Sequence, residues 1–199
     1  LRRAAKEIQY WKLLLFAGTF AIANTSIASF LPTYLTLERG MDATVATSIS
    51  SLNSLFGIAG SLLGGVLCAQ MWRRKPILIG AIALYILVGF GITMTSSGTV
   101  IIVLALAAGT LYFIPIAAQS TIMIETKQPF DPSILGGAAS ISSGIGQLLC
   151  VIVSFLFQGV AAASSMTVAY RVFFSLCLIG LLGALLLRET GIKPEKAAN

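Results

Sequence analysis

The stretch QMWRRKPILIGAIALYILVGFGITMTSSG, residues 70–98, decides what kind of protein this is. Arg73, Arg74 and Lys75 are followed by Pro76, and no charged residue then occurs from Ile77 to Thr95, where the turn signal TSSG (95–98) begins. A bilayer hydrocarbon core of ~30 Å takes about 20 mostly apolar residues as one helix. Proline is tolerated in the first turn of a helix, so the run predicts a membrane-spanning helix entered from a basic boundary.

The same design recurs along the chain. Six runs qualify: Leu13–Leu35, Val45–Cys68, Ile77–Thr95, Val100–Ile124, Ile134–Val160 and Thr167–Leu187. Their separators, ERGMD (38–42), QMWRRKP (70–76), TSSG (95–98), ETKQPFDP (125–132) and AASS (162–165), carry charges and turn formers. A β-barrel fails, because the runs lack period-2 alternation and exceed barrel strands in length. The expected fold is an all-α membrane protein of six transmembrane helices. Residues 1–12 read as the end of a cytoplasmic linker with more chain expected upstream, 13–187 as the transmembrane domain, and 188–199 as a polar cytoplasmic tail.

Composition agrees. Of 199 residues, 57% are hydrophobic and only 10% charged, with a mean hydropathy of +0.93, whereas a soluble domain carries roughly 25% charged residues. The net charge of +6 does not point to nucleic acid, because the basic residues cluster between apolar runs as membrane topology requires. With the N-terminus cytoplasmic, Arg2, Arg3, Lys6, Lys12, Arg73, Arg74, Lys75, Lys127, Arg188, Lys193 and Lys196 fall inside and only Arg39 and Arg171 outside. Both termini are therefore expected in the cytoplasm of a cell-membrane protein. Arg171, near the outer end of the last run, reads as a snorkelling cation. Histidine is absent, which removes the commonest general base and metal ligand. Cys68, Cys150 and Cys177 read as small packing residues, and no cofactor is expected.

Polar residues in a membrane helix face other helices or water. In the first run Thr25, Ser29 and Thr33 lie at steps of four beside Asn24 and Ser26, followed by Pro32; in the fourth, Tyr112 and Gln119 share a face around Pro115. The fifth carries Ser140, Ser143, Gln147, Ser154 and Gln158, and the second crowds Thr47, Ser50, Ser51, Asn53 and Ser54 near one end. The third and sixth are nearly all apolar and read as outer supports. Matching prolines in the first and fourth helices suit two inverted three-helix units with a site between them. Small residues at spacing four, Gly57, Ser61 and Gly65, then Gly136, Ser140 and Gly144, with Gly60-x-x-x-Gly64 in a second register, support close helix packing, inside this chain or against another.

Residues 65–76, GVLCAQMWRRKP, resemble the cytoplasmic signature of the major facilitator superfamily, G-x-L-a-D-x-x-G-R-R/K. Gly65, Leu67, Arg73 and Arg74 match, while Ala69 stands for the Asp and Trp72 for the second Gly; the departures favour the C-terminal half and argue against a charge relay through this loop. The segment 125–146, ETKQPFDPSILGGAASISSGIG, resembles the loop and Gly/Ser-rich helix of the same half. The resemblance implies a bundle of two inverted three-helix repeats that works by alternating access with a missing N-terminal six-helix half. It implies a cavity lined by Asn24, Thr25, Ser29, Tyr112 and Gln119, a gating loop holding Gly65, Arg73 and Arg74, and an interface with Gly57, Ser61, Gly136, Ser140, Gly144 and Gln147. No Asp, Glu or His lies within the runs, so this half shows no proton carrier. The expected cargo is a small organic solute, neutral or amphiphilic, or an anion handled mainly by the other half, with lipid as the solvent. The alternatives are a receptor or scaffold on the same fold and a six-helix chain that pairs with itself. The usual intramembrane enzyme designs are missing.

Overall fold

In the computed structural model, six helices follow one another: α1 (Ile8–Leu37), α2 (Ala43–Gln70), α3 (Lys75–Met94), α4 (Gly98–Glu125), α5 (Pro132–Ala163) and α6 (Met166–Leu186). The structure describes residues 8–71, 73–125, 132–187 and 189, and among them there is no strand. Each helix contains a segment long and apolar enough to cross a bilayer. The 28 residues of α2 measure about 42 Å at ~1.5 Å per residue, more than the ~30 Å hydrocarbon core.

The connections follow from local chemistry. Gly40, with φ +64°, turns the chain after α1 as a left-handed glycine commonly ends a helix, and the Met41 N–H returns to the Leu35 carbonyl at 3.0 Å. Asp42 at once opens α2, its carboxylate accepting from the Thr44 N–H at 2.8 Å and the Val45 N–H at 3.4 Å. Ser165 caps α6 through the Val168 N–H at 3.2 Å. Pro76 sits in the first turn of α3, and Pro132 opens α5, both positions where the missing N–H costs nothing.

Four helices form the centre. α1 packs on α6, α6 on α3, α3 on α4, and α4 closes back on α1, while α2 lies chiefly on α4 and also on α1, and α5 lies on α1 and α6. The closest approach is α2 on α4. A Cβ on Gly60 would meet the Thr110 carbonyl, one on Gly64 the Ile114 carbonyl, and one on Gly57 the Phe113 ring; in return a Cβ on Gly109 would meet the Asn53 backbone. The buried Asn53 carboxamide donates to the Ala105 carbonyl at 2.5 Å. Backbones this close gain dispersion contacts, which matters because lipid offers little hydrophobic drive for helix association.

The interior is aromatic. Phe20 sits between Phe16 (5.6 Å), Tyr85 (4.9 Å) and Tyr112 (5.0 Å), measured between ring centroids, and Phe157 between Phe30 (4.4 Å), Tyr170 (5.0 Å) and Phe173 (5.3 Å). Tyr170 also meets Tyr34 edge-on at 5.0 Å, and its hydroxyl donates to the Ser26 carbonyl at 3.2 Å. These contacts tie α1, α3, α4, α5 and α6 together along much of the bundle's length.

Burial refines the expectation for α3 and α6. Half of the spanning window of α3 and 44% of that of α6 are buried, against 28% for α2 and 11% for α5. Among the described residues, α3 and α6 are thus the best-covered spans. Their exposed large hydrophobics, Leu84 and Leu87 on α3 and Leu178, Ile179 and Leu182 on α6, give them a lipid-compatible outer face.

Both ends of the antiparallel α3–α6 pair are charge-matched. At the near end, where α1 and α3 start and α6 finishes, Glu189 accepts from the backbone N–H groups of Arg74 (2.7 Å) and Lys75 (3.3 Å) at the start of α3. Lys12 donates to the Leu186 carbonyl at 3.0 Å and Lys75 to the Leu185 carbonyl at 2.5 Å, at the finish of α6. At the far end Glu38 accepts from the Thr167 N–H (3.0 Å) and hydroxyl at the start of α6. There Arg39 donates to the carbonyls of Ile92 (3.2 Å) and Thr93 (3.3 Å), and Arg171 to the Thr93 hydroxyl (3.3 Å), at the finish of α3. Acids thus meet helix N-termini and bases meet C-termini, the arrangement the helix dipole favours.

Candidate functional site

The site candidates sort by how far their polar groups are already satisfied. A hydroxyl can bond back to the carbonyl one turn earlier. Thr25 donates to Ala21 (2.9 Å), Ser26 to Ile22 (3.1 Å), Ser120 to Ile116 (3.0 Å) and Ser154 to Cys150 (2.9 Å) in this way. A carboxamide has two donors and one strong acceptor and cannot fold all of them into its own helix. Asn24 on α1 and Gln119 on α4 are half-buried, and neither side chain has a hydrogen-bond partner among the described residues. They stand on the two touching helices that each carry an interior proline, Pro32 and Pro115.

The other expected lining residues divide. Thr25 faces α5, its Oγ1 also 3.0 Å from Cys150 Sγ. Ser29 is exposed and Tyr112 half-buried, the Tyr112 ring packed against Phe20 and, edge-on, against Phe113 at 5.0 Å. Ser26, which shares the polar stretch of the first run, is buried and faces α6 through Tyr170. Thr47, Ser48 and Ser51, with Ala43 and Thr44, line a shallow open depression at the far end of α2. All three of their hydroxyls donate to carbonyls four residues back.

In the signature loop, Arg74 is the structural member. Its guanidinium turns back on α2 and donates to the carbonyls of Cys68 and Met71, capping that C-terminus as a cation should. Arg73 is exposed, and Gly65 has open space where a Cβ would stand. Trp72 lies outside the described residues.

Of the two small-residue registers in α2, Gly57, Gly60 and Gly64 face α4 within this chain, whereas Ser61 and Gly65 are exposed. On α5, Gly144 has open space around it and Gln147 is exposed; Gly136 and Ser140 stand in the turns whose side chains lie outside the described residues. Arg171 sits at the far end, exposed and bonded to the end of α3, as a snorkelling cation does. The sequence reading left out the two capping acids, Glu38 and Glu189. Their signal was available, since each stands one or a few residues beyond a helix C-terminus; their helix partners lie far along the chain and were not.

No family model matches the chain. It is 25% identical to the cis,cis-muconate transport protein of Acinetobacter baylyi (strain ATCC 33305 / BD413 / ADP1), over 187 residues covering 92% of this chain and 44% of that protein. The chain therefore spans less than half the length of the curated relative it matches. The chain thus combines six helices long and apolar enough to cross a bilayer with a likeness to a transport protein.

Proposed function

We propose that this chain is one six-helix half of a secondary transporter of the major facilitator type, which moves a small organic solute by alternating access. The observation that carries the reading is the set of uncovered faces. α2 and α5 leave Ser51, Ser54, Ser61, Gly144 and Gln147 exposed beside large apolar residues such as Leu55, Leu62, Leu148 and Phe155, and small and polar positions set in an apolar surface suit close packing against a second bundle.

The helix contacts support an inverted repeat. Exchanging α1 with α4, α2 with α5 and α3 with α6 turns the α2–α4 contact into α5–α1, turns α3–α4 into α6–α1, and returns α3–α6 to itself, and each of these contacts is present. Ser29 and Tyr112 hold matching places in this exchange, each three residues before the interior proline of its helix. Pairs of interrupted helices in related units are where such carriers place their sites.

The relative's name puts a small organic acid first among candidate cargoes. Asn24 and Gln119 would offer N–H donors to its carboxylate, with Ser29 and Tyr112 adding hydroxyls beside them. A neutral solute would use the same groups. The domain limits and the cytoplasmic placing of both termini are part of this reading.

The test is uptake into liposomes by the whole protein that carries this sequence, with labelled cis,cis-muconate and a panel of neutral solutes. Asn24→Ala and Gln119→Ala are expected to lower kcat/KM by roughly tenfold each, the worth of one hydrogen bond to a charged group. Binding without flux would favour a receptor. Uptake unchanged in both variants would remove the proposed site.

A further inference from the structure

We propose that the near end of the bundle holds a site for the phosphate headgroup of an anionic glycerophospholipid, bound by Lys12 and Lys75. The two ammonium groups arrive from different helices, α1 and α3, on the consecutive carbonyls of Leu186 and Leu185. An ammonium has three N–H donors. One from each lysine is spent on α6, which fixes the nitrogen and leaves the remaining donors for a phosphate oxygen. Lysine serves phosphate well as a point charge.

Depth selects a lipid. The apolar run of α1 begins at Leu13, next to Lys12, that of α3 follows Lys75 directly, and α6 ends at Leu186. Both cations therefore stand at the apolar boundary, where lipid phosphates lie. Directly beneath them the surface is apolar and exposed, with Leu15 at 47%, Leu182 at 60% and Leu186 at 63%. A soluble anion would leave that surface unused, whereas a phospholipid meets both parts at once. Clusters of basic residues just beyond the hydrocarbon recognise anionic lipids in this way.

The charge at this end stays positive after its opposing groups are included. The partial negative charge at the finish of α6 and the Glu189 carboxylate offset part of the two ammonium charges, and Arg73 and Arg74 stand in the same turn as Lys75. The far end differs. Arg39 there already spends its guanidinium on the Tyr34 hydroxyl at 2.9 Å and on the Ile92 and Thr93 carbonyls. The two ends thus share helix capping, but at the near end two ammonium groups from different helices meet consecutive carbonyls of α6.

The experiment is native mass spectrometry of the whole protein that carries this sequence, released from nanodiscs of equal dioleoylphosphatidylglycerol and dioleoylphosphatidylcholine. The wild type is expected to retain phosphatidylglycerol preferentially. Lys12→Gln with Lys75→Gln is expected to cut that preference roughly tenfold, each single change to cut it in part, and the corresponding Arg pair and Arg171→Gln to keep it. The single changes decide the matter should the double variant fail to fold. Equal retention of the two lipids by the wild type, an undiminished preference in the Gln variants, or displacement of the lipid by millimolar inorganic phosphate would each overturn the assignment.

Discussion

The α3–α6 pair and the α2–α5 pair teach opposite lessons about what hydropathy means in a membrane bundle. α3 and α4 are equally apolar over their spans, yet half of the first is buried and only 28% of the second. α3 and α6 sit against each other and against α4 and α1, show lipid mainly leucine and isoleucine, and have their ends fixed by acids on N-termini and bases on C-termini. α2 and α5 carry more hydroxyls, glycines and carboxamides and are the less covered pair. Apolar content sets whether a helix can lie in a bilayer. Residue size and shape at each face set what it lies against.

The sharpest break of that comparison is within α2, where two glycine registers stand side by side. Gly60→Leu or Gly64→Leu drives a side chain into the α4 backbone and is expected to destabilise the chain by about 1–3 kcal/mol or more, read as a fall in the thermal midpoint in detergent. Gly65→Leu, which meets open space, is expected to change that midpoint by no more than about 0.5 kcal/mol of stability. Equal losses from both registers would show that the α2–α4 contact is not the one described here.

A smaller effect is expected at Asn53. Replacing it with Ala removes the bond to the Ala105 carbonyl and is expected to cost ~1 kcal/mol, measurable by unfolding in mixed detergent. The end caps of the α3–α6 pair come next: Glu38→Gln at the far end and Glu189→Gln at the near end are each expected to cost about 0.5 kcal/mol. Both losses should shrink in high salt, which a purely packing role would not show.

The mildest change belongs to Asp42, at the start of α2. The N–H groups of Thr44 and Val45 hold its carboxyl below the ordinary value of 3.8. A depressed value means that the capping contribution is complete above the ordinary carboxyl range and fades as the pH falls through the native value. The first turn of α2 is then expected to exchange its amide hydrogens faster only below about pH 4, with Asp42→Asn abolishing that dependence.

Six spans, their short connections and the caps at Asp42, Pro76 and Pro132 could be read from residues 8–187 directly, because each depends on neighbours within a turn or on the length of an apolar run. Asn24 and Gln119 could be singled out as polar groups in lipid, but not as being, with the Ser29 and Tyr112 hydroxyls, among those without a partner in the described residues. That distinction appears only when Thr25, Ser26 and Ser120 are seen bonded to their own helices. That Gly57, Gly60 and Gly64 face α4 while Ser61 and Gly65 do not was equally open, since a helix shows small residues on several faces and only a neighbour selects one.

The residue order alone therefore determined six segments long and apolar enough to cross a bilayer and where the chain turns between them, since helix length and backbone hydrogen bonding impose that locally. Only the tertiary structure decided that the apolar α3 and α6 are the best-covered helices, that Glu38, Glu189, Lys12 and Lys75 cap helices far away in sequence, and that α2 and α5 keep a bare face. Those outcomes depend on contacts between segments more than a hundred residues apart, which no local rule contains.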